Sequence, residues 1–138
     1  MGMTLPPWSV FHPDIRLLVF RPRGIIDEAM MEKTIGMLEA MEEQVDQPFN
    51  RYLDHSQIDA IDLRFEAVFR TALQRRLTSA KLPPIKVAAY VTSPATKWLG
   101  ETFVLLTEHS PLSVKLFDEV EAAAKWLEVT VEDLGRAP

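Results

Sequence analysis

Short runs of β-forming residues alternate with segments of helical periodicity along the whole chain, and few folds accept that order. Strands separated by helices pair in parallel and must bury both faces of their sheet, so the alternation commits the chain to an α/β sheet covered by helices. Residues 8–11 and 15–20 flank the turn-forming cluster His12-Pro13-Asp14 and read as an antiparallel hairpin at the N-terminal edge. From residue 26 to about 45 the period changes. Met30, Thr34, Met37, Leu38, Met41 and Val45 recur at steps of three and four, with Glu32, Lys33, Glu39, Glu42 and Glu43 between them, which is the pattern of an amphipathic helix. Its methionines read as adaptable core filler.

Residues 49–53 form the next predicted strand, with Asp54-His55-Ser56 as its exit. The spacing predicts a second helix over residues 62–77, with Asp62 as N-cap and Phe65, Val68, Phe69, Ala72, Leu73 and Leu77 toward the core. A β-rich run at 85–91 precedes Thr92-Ser93-Pro94, where Ser93 is placed to cap a third helix and Pro94 to occupy its first turn. Ala95, Trp98, Leu99, Thr102, Phe103 and Leu106 make the inward stripe of that helix, and Val104 and Leu105 fall outside it. A helix apolar on two sides needs a second cover. Either the methionine-rich helix supplies it, or a second copy does, in a two-fold homodimer through Val104 and Leu105. Residues 113–117 read as a last strand, Asp118 as the cap of a helix carrying Val120, Ala123, Ala124 and Leu127, and residues 130–135 as a final turn. The expected architecture is one domain over residues 1–138. It holds a mostly parallel mixed sheet of about five strands under four to five helices.

Composition narrows the function. The 138 residues contain no cysteine, which excludes disulfides, thiolate metal sites and cysteine nucleophiles and agrees with a cytoplasmic setting. The opening stretch MGMTLPP lacks the basic and apolar regions of a signal peptide, and no apolar run approaches the roughly 18 residues of a membrane span. With a net charge of −5, the chain lacks the basic surface that phosphate binding calls for, and nucleic acid is not expected as a partner. The arginines at 64, 70, 75 and 76 and Lys81 read as a solvated helix face balanced by acidic neighbours.

No catalytic motif is present. The histidines at 12, 55 and 109 have no metal-ligand spacing, and there is no nucleophile elbow and no glycine-rich phosphate loop. No cofactor or metal is expected. Asp54, His55, Ser56, Asp59 and Asp62 remain as a polar rim at the carboxyl end of a central strand, where open α/β sheets bind ligands. The plainer reading of the same residues is that short polar side chains satisfy the loop and cap the next helix.

Residues 53–65 resemble the STAS superfamily. In its anti-sigma-factor antagonists a strand ends in Asp-x-Ser, and an Asp-Ser-Ser-Gly motif carrying the phosphorylated serine then opens a helix. Asp54-His55-Ser56 matches the first motif and Asp62 the first residue of the second, but Leu63-Arg64-Phe65 stands in place of Ser-Ser-Gly. The end of the chain, with Phe117-Asp118 followed by Ala123-Ala124-Lys125-Trp126-Leu127, is similar to the bacterial SpoIIAA-like branch, which is grouped with CRAL-TRIO-type domains. The resemblance implies a non-enzymatic regulatory or protein-interaction module without the usual phosphoacceptor. It would bind a protein partner through the loop at 54–62 and the helix after it. The CRAL-TRIO kinship and the methionine- and aromatic-rich helices suggest the alternative, a carrier or sensor of a small apolar ligand.

Overall fold

The computed structural model describes residues 8–135, so the opening stretch read above for a leader lies outside the described residues. The elements are β1 (Ser9–His12), β2 (Leu17–Phe20), β3 (Gly24–Asp27), α1 (Glu28–Gln44), β4 (Asn50–Asp54), β5 (Ile58–Asp62), α2 (Phe65–Thr78), β6 (Ile85–Tyr90), α3 (Pro94–Leu106), β7 (Leu112–Phe117), α4 (Val120–Leu127) and α5 (Val131–Gly135). The main sheet has the order β1-β2-β4-β6-β7. Its first pair is antiparallel and the rest are parallel, which is the mixed α/β sheet the alternation demands. A two-stranded parallel ribbon of β3 and β5 stands beside it. The ribbon escapes sequence reading because both strands are short and β5 mixes exposed aspartates with half-buried isoleucines.

Successive side chains of a strand point to opposite faces, and the two faces carry different layers. Leu17, Val19, Tyr52, Ala88 and Phe117 pack with Ala123, Ala124, Leu127 and Leu134 of α4 and α5. The alternate residue Leu18 packs with Met41 of α1, and Phe20, Leu53, Ala89 and Val114 line a common wall with residues of α1 and α3. All four residues of β2 are buried. Ser93 and Thr96 form a reciprocal capping box at the start of α3, with Pro94 in the first turn as expected. Gly100 then lets α3 approach β7 so closely that a β-carbon there would lie 2.6 Å from Leu116 Cδ2.

Helix α2 departs from expectation. It starts at Phe65, not at residue 62, because Asp62 ends β5, and its N-cap Arg64 makes no side-chain capping bond. Its buried residues are Ala67, Val68, Thr71, Ala72 and Arg75. Phe65, Phe69, Leu73 and Leu77, expected in the core, are 55, 39, 38 and 78% exposed. The physical reason is Arg75. A buried guanidinium needs a carboxylate, and Arg75 donates from Nη1 and Nη2 to Glu42 Oε1 and Oε2 at 2.9 and 2.8 Å. Arg51 of β4, only 1% exposed, donates from Nη2 to the same Glu42 at 2.5 Å and lays its guanidinium 4.2 Å from the centre of the Phe49 ring. Glu39 extends the network by accepting from Thr78 Oγ1 and Gln74 Nε2. These polar bonds turn the small side chains of α2 inward and its large apolar ones outward.

A smaller correction shares this cause, in that a helix's neighbours choose its inward face. Trp98 is 40% exposed although the α3 stripe included it, because Thr96, Leu99 and Gly100 take the inward face. The N-cap of α4 is Glu119, without a side-chain capping bond, and Asp118 lies exposed in the preceding bend. Removing the shared carboxylate with Glu42→Gln leaves two buried arginines short of a partner and is expected to cost roughly 3–5 kcal/mol in urea unfolding. Leu77→Ser on the outer face should change stability by no more than about 0.5 kcal/mol. A larger loss for Leu77→Ser than for Glu42→Gln would reverse the orientation of α2.

Candidate functional site

Asp54, His55 and Ser56 leave the carboxyl end of β4, as the sequence pattern predicts, and the structure shows how that exit is tied down. Asp54 Oδ1 accepts from the Ser56 amide at 2.9 Å and from Ser56 Oγ at 2.6 Å, a local turn closed by the aspartate. Its other oxygen lies 3.4 Å from Arg21 Nε. Arg21 also donates to the Leu134 carbonyl, linking this turn to α5. The His55 amide donates to the Tyr90 carbonyl at 3.0 Å, and the Ile58 amide donates to the His55 carbonyl at 3.2 Å. Asp59 and Asp62 are exposed on β5, away from this cluster of bonds, and Asp62 pairs in register with Asp27, the residue that caps α1. The five candidates therefore separate. Asp54 and Ser56 build the turn, Asp59 and Asp62 face solvent, and His55 goes inside.

His55 is 8% exposed, and its Nδ1 is buried with no hydrogen-bond partner. Burial pushes its pKa down to about 4, against a smaller opposing pull from Asp54, so the ring is neutral at physiological pH. The ring forms part of the wall of an apolar pocket of about 150 Å³, half open to solvent, between the main sheet, α1 and α3. Sequence reasoning missed this pocket, since its walls come from residues scattered between Phe20 and Val114. The methionine-rich α1 was the one visible signal.

At the other strand ends, Val91, Thr92, Ser93, Pro94, Lys97, Phe117 and Asp118 border a wide, open hollow. The Ser93 and Thr96 hydroxyls beside it are committed to the α3 cap. Among the described residues no three His, Cys, Asp or Glu side chains gather into a group able to hold a metal ion, and no helix is long and apolar enough to cross a membrane. Val104 and Leu105, the expected self-association residues, lie beside β7 at the edge of the sheet. Leu105 is 65% exposed, and both line a shallow hollow with Val114 and Leu116.

Among the described residues, the outer side of α2 gathers the most exposed large apolar side chains. Phe65, Phe69, Leu73 and Leu77 recur every fourth residue along it, with the first two rings 6.0 Å apart. Their spacing was legible as a stripe, but the side it faces was not.

A sequence model of the SpoIIAA-like family matches residues 17–128, and the chain belongs to that family. No curated protein matches it. Among solved structures it is similar to an uncharacterised protein with a SpoIIAA-like fold from Shewanella loihica. The TM-score is 0.58 at 20% identity, over 86% of this chain and 90% of that one, a likeness of fold.

Stability should record the buried imidazole. The ring takes up a proton more readily in the unfolded chain, where its ordinary pKa is 6.5, than in the fold, where it is about 4. Its contribution is therefore complete above pH 6.5 and is lost as pH falls toward 4, by roughly 3 kcal/mol in all. Urea unfolding of the wild type minus His55→Leu should rise with pH across that window. A flat difference would place the imidazole in water.

Proposed function

We propose that this SpoIIAA-like chain is a non-catalytic protein-interaction module that presents the outer face of α2 to an acidic amphipathic helix of a partner protein. The solvent-facing stripe Phe65, Phe69, Leu73 and Leu77 carries the reading. Monomeric proteins rarely leave two aromatic rings and two leucines side by side in water, and such stripes mark docking sites. An apolar helix face with anchors one turn apart is matched by a second amphipathic helix. Charge selects the partner's sign. Arg70 and Arg76 are exposed on α2 against a single Glu66, so a second α2 laid on the first would bring like charges together, whereas carboxylates bordering the partner's apolar face would meet them.

The usual phosphorylation switch of the superfamily has no acceptor here. Leu63-Arg64-Phe65 occupies the motif, and the Ser56 hydroxyl is engaged by Asp54. Binding through α2 is then constitutive. Fluorescence anisotropy with a synthetic helical peptide of leucines on one face and glutamates on the other is expected to show binding. A lysine counterpart should bind at least tenfold more weakly. Phe69→Asp should weaken the acidic peptide by more than tenfold while circular dichroism stays native. Equal binding of the two peptides, or indifference to Phe69→Asp, contradicts the reading. So does a dimer that Phe69→Asp dissolves, since a second copy would then be the occupant.

Self-association through Val104 and Leu105 is a separate reading, favoured by the exposed Leu105 beside an edge strand whose free backbone groups invite a second copy. Light scattering should then give a dimer for the wild type and a folded monomer for the Val104→Glu, Leu105→Glu double variant. A monomeric wild type at high micromolar concentration contradicts it.

A further inference from the structure

β7 ends the main sheet, and among the described residues no strand lies along its outer edge. The Ile85 amide donates to the Pro111 carbonyl at 3.0 Å and the Val91 amide to the Phe117 carbonyl at 2.9 Å, so the odd-numbered residues of β7 turn their backbone groups toward β6. Backbone groups alternate along a strand as side chains do, which aims those of Leu112, Val114 and Leu116 at the open edge. The Leu112 amide is already bonded to Ser110 Oγ at 3.2 Å. Val114 and Leu116 therefore offer their amides and carbonyls outward, the pattern that an added strand completes. The two flanks of this edge differ. On the α3 side, Val114 and Leu116 are half-buried and border the hollow with Val104 and Leu105. On the α4 side stand Ser113 and Lys115, both exposed, beside Lys86 of β6. Lys86 Nζ donates to the Trp126 carbonyl at 2.8 Å and has Glu128 at 4.0 Å. Lys115 Nζ lies 5.5 and 5.9 Å from the centres of the Phe117 and Trp126 rings and, among the described residues, has no carboxylate partner.

We infer that the open edge of β7 takes up an extended segment of a partner protein as an added strand, with apolar and acidic side chains in alternation. Side chains directly opposite each other in paired strands share a face. Apolar residues opposite Val114 and Leu116 then cover the hollow on the α3 side, and an acidic residue opposite Lys115 meets its ammonium group on the α4 side. A lysine on an exposed edge ordinarily blocks pairing. Here it also selects, because a carboxylate relieves the block and a second lysine adds to it. Charge favours a foreign strand over a second copy for the same reason. Two copies of β7 paired about a two-fold axis bring both Lys115 side chains to the seam, and they double Glu101 and Glu108 along the hollow on the other face. Self-association through Val104 and Leu105 claims this same edge, so only one of the two occupants can hold it. The edge uses no residue of α2, so a failure here leaves the α2 reading standing, and the reverse.

Fluorescence anisotropy of the full chain with two labelled peptides tests this at pH 7, one alternating valine with glutamate and the other valine with lysine. The glutamate peptide is expected to bind at least about fivefold more tightly than the lysine peptide. Methylating alternate backbone nitrogens separates strand pairing from plain charge attraction. Blocking the set that faces β7 should abolish binding, and blocking the other set should change it by less than about twofold. In Lys115→Glu the preference between the two peptides should reverse, while the acidic helical peptide offered to α2 keeps its affinity within about twofold. Equal affinity of the two peptides for the wild type overturns the selecting role of Lys115, and that comparison does not depend on a variant folding. Tolerance of methylation in both sets, or no binding at millimolar peptide, overturns the site. So does a wild-type dimer that the Val104→Glu, Leu105→Glu double variant dissolves, since a second copy would then hold the edge.

Discussion

Glu42 is the carboxylate on which three elements of this protein converge. It lies on α1, accepts both terminal nitrogens of Arg75 from α2 and accepts Arg51 from β4, with both guanidinium groups almost wholly buried. Burial lowers the pKa of Arg51 to about 10, and the Glu42 charge works against that shift. Two cations around one carboxylate, with Glu39 as the second anion, form a neutral set whose geometry tolerates little sliding. Bidentate pairing fixes orientation as well as distance, so α2 cannot rotate about its axis without breaking it. In this respect the cluster acts as a register device more than as a source of net stability.

That register decides the distribution of surface. A hydrophobic core alone would rotate α2 to bury Phe65 and Phe69. With Arg75 held inward, the side toward α1 and α3 carries Ala67, Val68, Thr71 and Ala72, and the aromatic residues are left in water. The same arrangement shapes the interior. Small residues such as Ala89 and Gly100 stand where α1, α3 and the sheet meet, and the pocket opens there with His55 in its wall. The interaction face and the pocket are separate outcomes of how one helical layer sits on one face of the sheet.

Much of the fold was legible because its signals are local. The Ser93-Pro94 start of α3, the hairpin of β1 and β2 and the β-rich run of β6 each rest on residues adjacent in sequence. The outward face of α2 was illegible for the converse reason. Periodicity reveals that an apolar stripe exists, but the partner that turns it, Glu42, lies 33 positions from Arg75. The loop at 54–56 was placed correctly, and its Asp54–Ser56 bond follows from residue type. That His55 would turn inward toward a pocket depends on α1 and α3, which no local pattern reports. Asp62 misled as a cap because the five residues of β5, only weakly apolar, form an additional strand that ends on it.

Helix α2 carries its charge inward and its aromatic rings outward, and side-chain accessibility in solution tests this most directly. Hydroxyl-radical footprinting read by mass spectrometry, at a concentration where light scattering shows a monomer, reports each ring separately. Phe65, Phe69 and Leu77 should be oxidised at rates close to those of the urea-unfolded chain, while Phe49 and Tyr52, 3 and 2% exposed, stay protected. Protection of Phe65 and Phe69 equal to that of Phe49 in the monomer would contradict this orientation of the helix.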